Sequence, residues 1–160
     1  MLELTPFFFV VTQKKRCEGG YTGQSYASCL VREAWLTINL SEFSVQPIVW
    51  HESLNPRVLN IDKGRLYVVG VAPTGREFDL YDKPRPPYIG FVLENGVWKR
   101  IPFAEIPVAI YDTNMLIERI PPTGTKFLTL ARKESSEVNG NQDYRKPQKR
   151  IDPTYKSNFN

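Results

Sequence analysis

Apolar and polar residues alternate over short distances along this chain. Brief runs rich in Val, Ile, Leu, Phe and Tyr are separated by Gly, Pro, Asn and Asp, and thirteen prolines are scattered over the 160 residues. Because proline lacks a backbone donor and ends helices, this spacing favours short strands. We therefore predict a mainly β fold: an antiparallel sandwich or open barrel of roughly six to eight short strands with minor helix and an extended basic C-terminal tail.

The first of two hairpins is expected in the middle of the chain. The runs Val58–Ile61 and Arg65–Val71 flank Asp62-Lys63-Gly64. This arrangement predicts two strands joined by a three-residue turn, in which Gly64 takes the left-handed conformation.

The second hairpin is marked by Asn95-Gly96, which lies between the runs Tyr88–Glu94 and Val97–Ile101. Asn-Gly favours a two-residue type I′ turn because both turn positions take positive φ. Such a turn pairs Leu93 with Trp98.

The N-terminal part predicts three further strands. Phe7–Thr12 is an aromatic and β-branched run suited to a buried strand. Residues 29–40 combine apolar positions at four-residue spacing, as in a helix, with alternation, as in a strand. We favour the strand because this segment follows a loop opposite Phe7–Thr12. Phe43–Trp50 contains Pro47, which predicts an edge strand.

The remaining elements of the domain are short. Ala72–Gly75 predicts a turn, and Glu77 and Asp79 are expected on one face of a strand, as a solvated charged face rather than an acid–base pair. A short helix is expected to begin at Pro107. Two closing strands are predicted, over Asn114–Ile120 and Lys126–Ala131.

Composition changes abruptly after Arg132. Residues 133–160 are dominated by Glu, Ser, Asn, Gln, Lys, Arg and Pro. Such a segment cannot by itself bury enough apolar area to offset the entropy of ordering it. We predict a β-rich globular domain over residues 1–132 and a polar, basic, flexible tail over residues 133–160 that adds little to the stability of the domain.

The net charge of +4 resides mostly in the tail. From Arg132 onward, seven Lys/Arg against four Asp/Glu give +3, whereas the preceding 131 residues, with fourteen against thirteen, give +1. A domain that binds duplex nucleic acid usually carries a basic patch on its folded surface. The composition therefore supports a nucleic-acid partner only weakly.

Cys17 and Cys29 can either close a disulfide across the loop between them or remain free thiols, and the redox compartment decides which. No stretch reaches the roughly 20 apolar residues that span a bilayer. The apolar start follows Glu3 instead of a basic leader segment. Localisation stays open: cytoplasmic by default, extracytoplasmic if the cysteines are bridged and a leader was removed.

Residues suited to catalysis or metal binding are sparse. With one His and two Cys, the chain has no spacing typical of a zinc site, and no calcium-loop motif occurs. We predict neither metal nor cofactor. His51 has the side chain of a general base, but no nucleophile with an orienting group is evident beside it. We favour an ordinary surface histidine and predict no catalytic residue.

The proline-tyrosine segment, Tyr81–Tyr88 (YDKPRPPY), is the main candidate for binding. Stiff prolines that present Tyr and Arg lose little entropy on docking, and both residue types are frequent at protein interfaces. The competing interpretation is a rigid linker packed on its own domain. The tail adds basic and aromatic residues that can grip nucleic acid or wrap a neighbouring protein. The candidate partner-binding residues are Tyr81, Arg85, Tyr88, Arg145, Lys146, Lys149, Arg150, Tyr155 and Phe159.

These patterns predict a non-enzymatic accessory or interaction protein, which can belong to a larger assembly. It would bind another protein through its tail and its proline-tyrosine segment, and its compactness alone favours a bacterial or phage source. Two alternatives stay open. One is a nucleic-acid-associated β-barrel, whose binding would depend strongly on salt. The other is a small hydrolase that uses His51 or the carboxylates.

Overall fold

A computed structural model describes residues 10–18, 30–40, 44, 46–115, 150–157 and 159. These residues form seven strands, one α-helix and two 3₁₀ turns. In chain order they are β1 (Val10–Glu18), β2 (Leu30–Asn39), β3 (Ile48–Glu52), β4 (Asn55–Asp62), β5 (Arg65–Val71), α1 (Gly75–Leu80), β6 (Ile89–Glu94), β7 (Val97–Ile101) and the 3₁₀ turns Phe103–Glu105 and Val108–Ile110. The predicted mainly β fold with minor helix is confirmed.

The strands form two antiparallel sheets. Strands β1, β2 and β3 make a three-stranded sheet in that order, and β4, β5, β6 and β7 make a four-stranded sheet in that order. Within each sheet, consecutive strands of the chain are paired, as in a meander, and the chain passes from one sheet to the other between β3 and β4. Over the described ranges, neither sheet closes into a barrel.

Two apolar clusters divide the molecule into three layers. The first cluster fills the space between the sheets, where Trp50 of β3 meets Phe91 of β6 edge-on, with ring centroids 5.7 Å apart. The second cluster lies on the other face of the four-stranded sheet, which is covered by the 3₁₀ turns and by Ile151. The four-stranded sheet is therefore the middle layer.

Gly90 lets the outer layer approach the four-stranded sheet. A β-carbon at Gly90 would lie 2.7 Å from Cγ1 of Ile106, which packs against the sheet from the end of the first 3₁₀ turn. That distance is shorter than real side chains tolerate. Glycine is therefore required at this position of β6 so that the outer layer can pack closely on the sheet.

The two hairpin predictions differ in outcome. Asn95 and Gly96 have φ of 52° and 76°, and Leu93 pairs with Trp98, so the type I′ turn and its register are confirmed. In the other hairpin Asp62 pairs directly with Arg65. The predicted three-residue turn is wrong, because Lys63 joins Gly64 at positive φ, with values of 48° and 76°, and closes a two-residue turn.

The ambiguous segment at residues 29–40 is a strand over Leu30–Asn39, as favoured. The predicted edge position is also confirmed, because β3 lies at the end of the three-stranded sheet, but the strand spans Ile48–Glu52 instead of Phe43–Trp50 and begins directly after Pro47. The Nε1 of Trp98 donates a hydrogen bond of 2.9 Å to the carbonyl oxygen of Val49. The side chain of Trp98, from the other sheet, thus satisfies a backbone group of β3.

The prediction of a strand around Glu77 and Asp79 is wrong, because both residues lie in α1. Asp79 is exposed, whereas the side chain of Glu77 is buried against Arg32 of β2. The expected solvated face therefore does not exist. The short helix predicted at Pro107 is present as a 3₁₀ turn, for which Pro107 is the N-cap residue.

The last described residues pack on the domain. Ile151 is 2% exposed and belongs to the second cluster, beside Tyr111. Its backbone N–H donates to the carbonyl oxygen of Tyr111 at 2.9 Å. This packing runs against the expectation that residues 133–160 add little to stability, at least for the part around Ile151.

Several sequence-based predictions lie outside the described residues. They include most of the first strand (Phe7–Phe9), the partner Cys29 of the proposed disulfide, nearly all of the closing strands, and the tail up to residue 149. Cys17 lies in β1 and pairs with Val31. No helix among the described residues is long and apolar enough to cross a membrane.

Candidate functional site: the loop–tail surface

The proline-tyrosine segment leaves α1 and enters β6. It includes a cis peptide bond between Arg85 and Pro86. The N–H of Tyr88 donates to the carbonyl oxygen of Pro86 at 2.8 Å, which closes a tight turn. The ring of Tyr88 is buried, and its centroid lies 5.9 Å from that of Phe103. The end of the segment is therefore held by its own domain, while Arg85 is exposed.

The C-terminal residues run along the same region. Arg150 forms an ion pair of 2.9 Å with Asp112, next to the buried Ile151. The backbone N–H of Asp152 then donates to the hydroxyl oxygen of Tyr88 at 3.1 Å. The ring of Tyr155 follows, with its centroid 6.3 Å from that of Tyr88. The tail thus contacts the proline-tyrosine segment directly.

A second aromatic contact extends this region towards α1. The ring of Phe159 lies 5.7 Å from that of Phe78, and the guanidinium carbon of Arg85 lies 5.9 Å from the centroid of the same Phe78 ring. We call the surface formed by Phe78, Arg85, Tyr88, Tyr155 and Phe159 the loop–tail surface. Its exposed part consists of Tyr155, Arg85 and the partly exposed Phe159, which contact the buried rings of Phe78 and Tyr88. Aromatic and arginine side chains are enriched at protein interfaces.

An open groove of about 540 Å³ lies beside this surface. Prolines and aromatic rings line much of it, and two arginines, Arg85 and Arg100, contribute cationic groups. The groove therefore combines apolar walls with polar, positively charged groups. Its lining includes Pro84, Arg85, Tyr88, Arg100, Pro102 and Phe103.

Arg100 is oriented by the start of the proline-tyrosine segment. Its Nη2 donates to the carbonyl oxygen of Tyr81 at 2.7 Å, and its guanidinium lies 5.5 Å from the centroid of the Tyr81 ring. Nη1 is 3.7 Å from a carboxylate oxygen of Asp82. These contacts fix the position of Arg100 at the groove without neutralising it fully, because Asp82 is 89% exposed and screened by water.

Tyr81 does not line the groove but holds Arg100, which does. Its hydroxyl donates to Glu52 at 2.5 Å and accepts from the N–H of Ser53 at 3.0 Å. Burial and the hydrogen bond to Glu52 raise the pKa of Tyr81. The phenol therefore stays protonated at neutral pH and joins the end of β3 to the end of α1.

Tyr88 and Asp152, which meet at the tail contact, have fixed charges at neutral pH. Burial raises the pKa of Tyr88, although the N–H of Asp152 opposes that effect. The Thr154 hydroxyl donates to Asp152 and lowers the pKa of its carboxyl group. Tyr88 is consequently neutral and Asp152 ionised, so this contact does not change its charge near pH 7.

The structure brings several predicted site residues together. Arg85, Tyr88, Tyr155 and Phe159 share the loop–tail surface, whereas Tyr81 lies behind it and Arg150 is paired with Asp112 at the edge of the tail contact. Arg145, Lys146 and Lys149 lie outside the described residues. Whether any of these residues binds a partner stays a prediction.

Sequence reasoning missed Phe78, Arg100 and Phe103. One signal for Arg100 was available: the Asn95-Gly96 turn implies that Arg100 pairs with Phe91, close to the start of β6 and hence to the proline-tyrosine segment. No comparable local signal pointed to Phe78 or Phe103. Their positions depend on how α1 and the first 3₁₀ turn pack on the sheet.

His51 lies on the outer face of the three-stranded sheet, away from this groove. Its ring stacks on Trp35 with centroids 4.4 Å apart, and its Nε2 is 3.0 Å from Glu33. The ammonium of Lys14 lies 5.2 Å from the same indole ring. These side chains form a cluster on the surface of the sheet. Among the described residues, they supply no nucleophile for a hydrolase.

Glu77 is the buried charge of the described chain, with 1% of its surface exposed. Arg32 donates to it at 2.7 Å, and the Thr74 hydroxyl also donates to its carboxylate. Burial raises the pKa of Glu77, but these two hydrogen bonds, a backbone hydrogen bond and the charge of Arg32 together outweigh burial and hold the pKa below its ordinary value. The paired carboxylate joins α1 to β2, which is a structural role.

Across the described ranges, no group of three or more His, Cys, Asp or Glu side chains is arranged to hold a metal ion. The loop–tail surface and the groove beside it bring together several of the residues predicted to bind a partner. No protein-family model, curated protein or solved structure matches this chain.

Proposed function

We propose that this chain is a non-enzymatic binding protein that recognises another protein through the loop–tail surface. One observation carries the proposal. The proline-tyrosine segment and the C-terminal residues lie far apart in sequence, yet they meet at Tyr88 and form one surface beside an open groove. Composition alone had marked both segments as candidates for binding.

The chemistry of the surface favours a protein partner. Tyr155 is 39% exposed, and Arg85 and Phe159 also reach the surface. Aromatic and arginine side chains dominate the energetics of many protein interfaces, because they bury large areas and combine packing with hydrogen bonding. Prolines on the adjoining segment limit the conformational entropy that docking would remove.

Selection from a random-peptide display library tests the proposal. The immobilised full-length chain should enrich peptides that also bind in solution, and the double variant Arg85→Gln/Tyr155→Ala should lose them. Lys63→Gln is the matched control, because it also removes one exposed cation but lies in the hairpin turn at the other end of the four-stranded sheet.

Two outcomes would contradict the proposal. One is a failure to enrich any peptide that distinguishes the surface variant from the control. The other is tight binding of random single-stranded oligonucleotides with a steep salt dependence, which would support the nucleic-acid alternative.

A further inference from the structure

We propose that the groove beside the loop–tail surface binds an acidic, extended segment of the partner, whose carboxylates are held by Arg85 and Arg100. This inference rests on the proposed function and specifies the chemistry of the ligand. It follows from the charge of the groove, the state of its two arginines and the nature of its walls.

Arg85 has its hydrogen-bonding groups available. Its guanidinium contacts the ring of Phe78, and over the described part of the chain no carboxylate forms an ion pair with it. The guanidinium carries five N–H donors, and a contact with a ring whose centroid lies 5.9 Å away leaves donors for an incoming acceptor. Arg85 is therefore prepared to receive a carboxylate in a two-point geometry.

Arg100 is the second cation, and contacts within the protein fix its side chain before any ligand binds. Its Nη2 donates a hydrogen bond to the carbonyl oxygen of Tyr81, and the Tyr81 hydroxyl in turn donates one to Glu52. A side chain fixed in this way loses less entropy when a ligand binds. Its nearby carboxylate, Asp82, is almost fully exposed and contributes only weak competition.

The walls of the groove favour an extended backbone. Pro84, Pro86 and Pro102 line it together with Phe103, which is partly exposed, and with the buried Tyr88. Grooves lined by aromatic residues accept polyproline II segments, which lose little entropy on binding because they are already extended. An acidic segment that contains proline fits both the charge and the shape.

The test uses fluorescence polarisation of labelled decapeptides with the full-length chain at low salt. The probes are an alternating Glu-Pro peptide, an alternating Gln-Pro peptide of the same length, and a ten-nucleotide oligo-dT. We expect Glu-Pro to bind roughly tenfold or more tightly than Gln-Pro, since hydrogen bonds to charged groups are stronger than neutral ones.

Three variants test whether the preference for Glu-Pro over Gln-Pro arises at the groove. Arg85→Gln should weaken binding of Glu-Pro about tenfold, and Arg85→Lys should weaken it less, because charge is kept and the two-point geometry is lost. Lys63→Gln should leave binding unchanged. Thermal melting of each variant checks that the fold is intact, which matters little for Arg85 because its side chain is exposed.

Asp82→Asn provides a test by gain of binding. Removing the carboxylate that competes for Arg100 should tighten Glu-Pro binding about two- to threefold. The change is compatible with the backbone, since Asp82 has φ of 64° and asparagine tolerates the left-handed region. A failing fold cannot mimic this result.

Equal affinity for Glu-Pro and Gln-Pro, or full Glu-Pro binding by Arg85→Gln, would overturn the inference. So would oligo-dT that binds more tightly than Glu-Pro and displaces it, because the groove would then be a phosphate site. If display selection yields neutral peptides that depend on Arg85 and Tyr155, the proposed function survives and the acidic ligand does not.

Discussion

The two sheets of this protein differ in how many of their faces are covered. In β5 of the four-stranded sheet, five consecutive residues, Leu66–Gly70, are buried. In β3 of the three-stranded sheet, Ile48 and Trp50 are buried while Val49 and His51 are exposed. The same antiparallel architecture thus produces a continuous apolar run in one sheet and strict alternation in the other.

The difference shows that the pattern of buried and exposed residues along a strand depends on how many faces of its sheet are covered. It depends less on whether the strands are parallel or antiparallel. Continuous apolar strands are usual in parallel sheets, because helices cover both faces of those sheets. Here the second cover of an antiparallel sheet comes from short 3₁₀ turns and from Ile151. Substitutions should therefore cost most where buried contacts join the layers and least on the open face.

The largest effect is expected at the junction between α1 and the three-stranded sheet. Glu77→Ala removes a buried carboxylate that Arg32 and Thr74 satisfy, and we expect the free energy of unfolding to fall by about 3 kcal/mol. Asp79→Ala is the control in the same helix, where an exposed side chain should matter little. Urea unfolding of the two variants measures the difference.

The pH dependence of the same junction sharpens this prediction. Because the folded pKa of Glu77 lies below its ordinary value, its contribution to stability is complete above the unfolded pKa, about 4.3, and is lost as pH falls through the folded pKa. Glu77→Gln lacks this ionisation. The gap between the native chain and Glu77→Gln should therefore narrow in acid, and a gap that widens would contradict the assignment.

Removing the cover of the four-stranded sheet should come next. Ile151→Ala is expected to lower the free energy of unfolding by about 2–3 kcal/mol, since it deletes fully buried methyl groups beside Tyr111. Tyr155→Ala, a few residues later and partly exposed, should cost less than about 1 kcal/mol. Similar effects for both would mean that the tail contributes through Tyr155 as much as through the buried anchor.

A matched pair of valines tests the comparison between sheets directly. Val69 in the four-stranded sheet is fully buried, whereas Val49 in the three-stranded sheet is 51% exposed. We expect Val69→Ala to cost about 2 kcal/mol and Val49→Ala less than about 0.5 kcal/mol. Equal losses in chemical denaturation would show that the outer face of the three-stranded sheet is also covered.

The smallest effect concerns a local turn and not a layer. Gly96→Val places a β-branched residue at φ of 76° and should cost about 1–2 kcal/mol. Asn95→Gly, at φ of 52°, should be tolerated, because glycine adopts that conformation without strain. Thermal unfolding of both variants distinguishes a conformational penalty from general fragility of the hairpin.

Local signals predicted the hairpins well and α1 poorly. The Asn95-Gly96 turn and its register follow from backbone conformations available to two residues. The helix had a weaker signal, Thr74-x-x-Glu77, which is the spacing of a capping box. That signal was overlooked because α1 has six residues, too few for a helical period, and buries two consecutive side chains, Glu77 and Phe78.

The candidate site was likewise predictable only in part: the two segments could be identified from the sequence, but their contact could not. Composition marked the proline-tyrosine segment and the tail, since prolines, aromatics and cations are visible in any sequence. Their contact through Tyr88, Asp152 and Tyr155 was not visible, because it joins residues 64 or more positions apart. Arg100 was within reach of the hairpin register, whereas Phe103 was not.

Sequence by itself determined the strand-rich class, the second hairpin and the edge position of β3, because each depends on the conformational preferences of adjacent residues. Tertiary structure alone decided that Glu77 is buried, that Ile151 covers the four-stranded sheet and that the tail meets the proline-tyrosine segment. The physical reason is that an isolated segment carries its propensities with it, whereas burial and charge pairing exist only when distant surfaces meet. Arg32 can stabilise Glu77 only after the chain has brought together two residues that lie 45 positions apart.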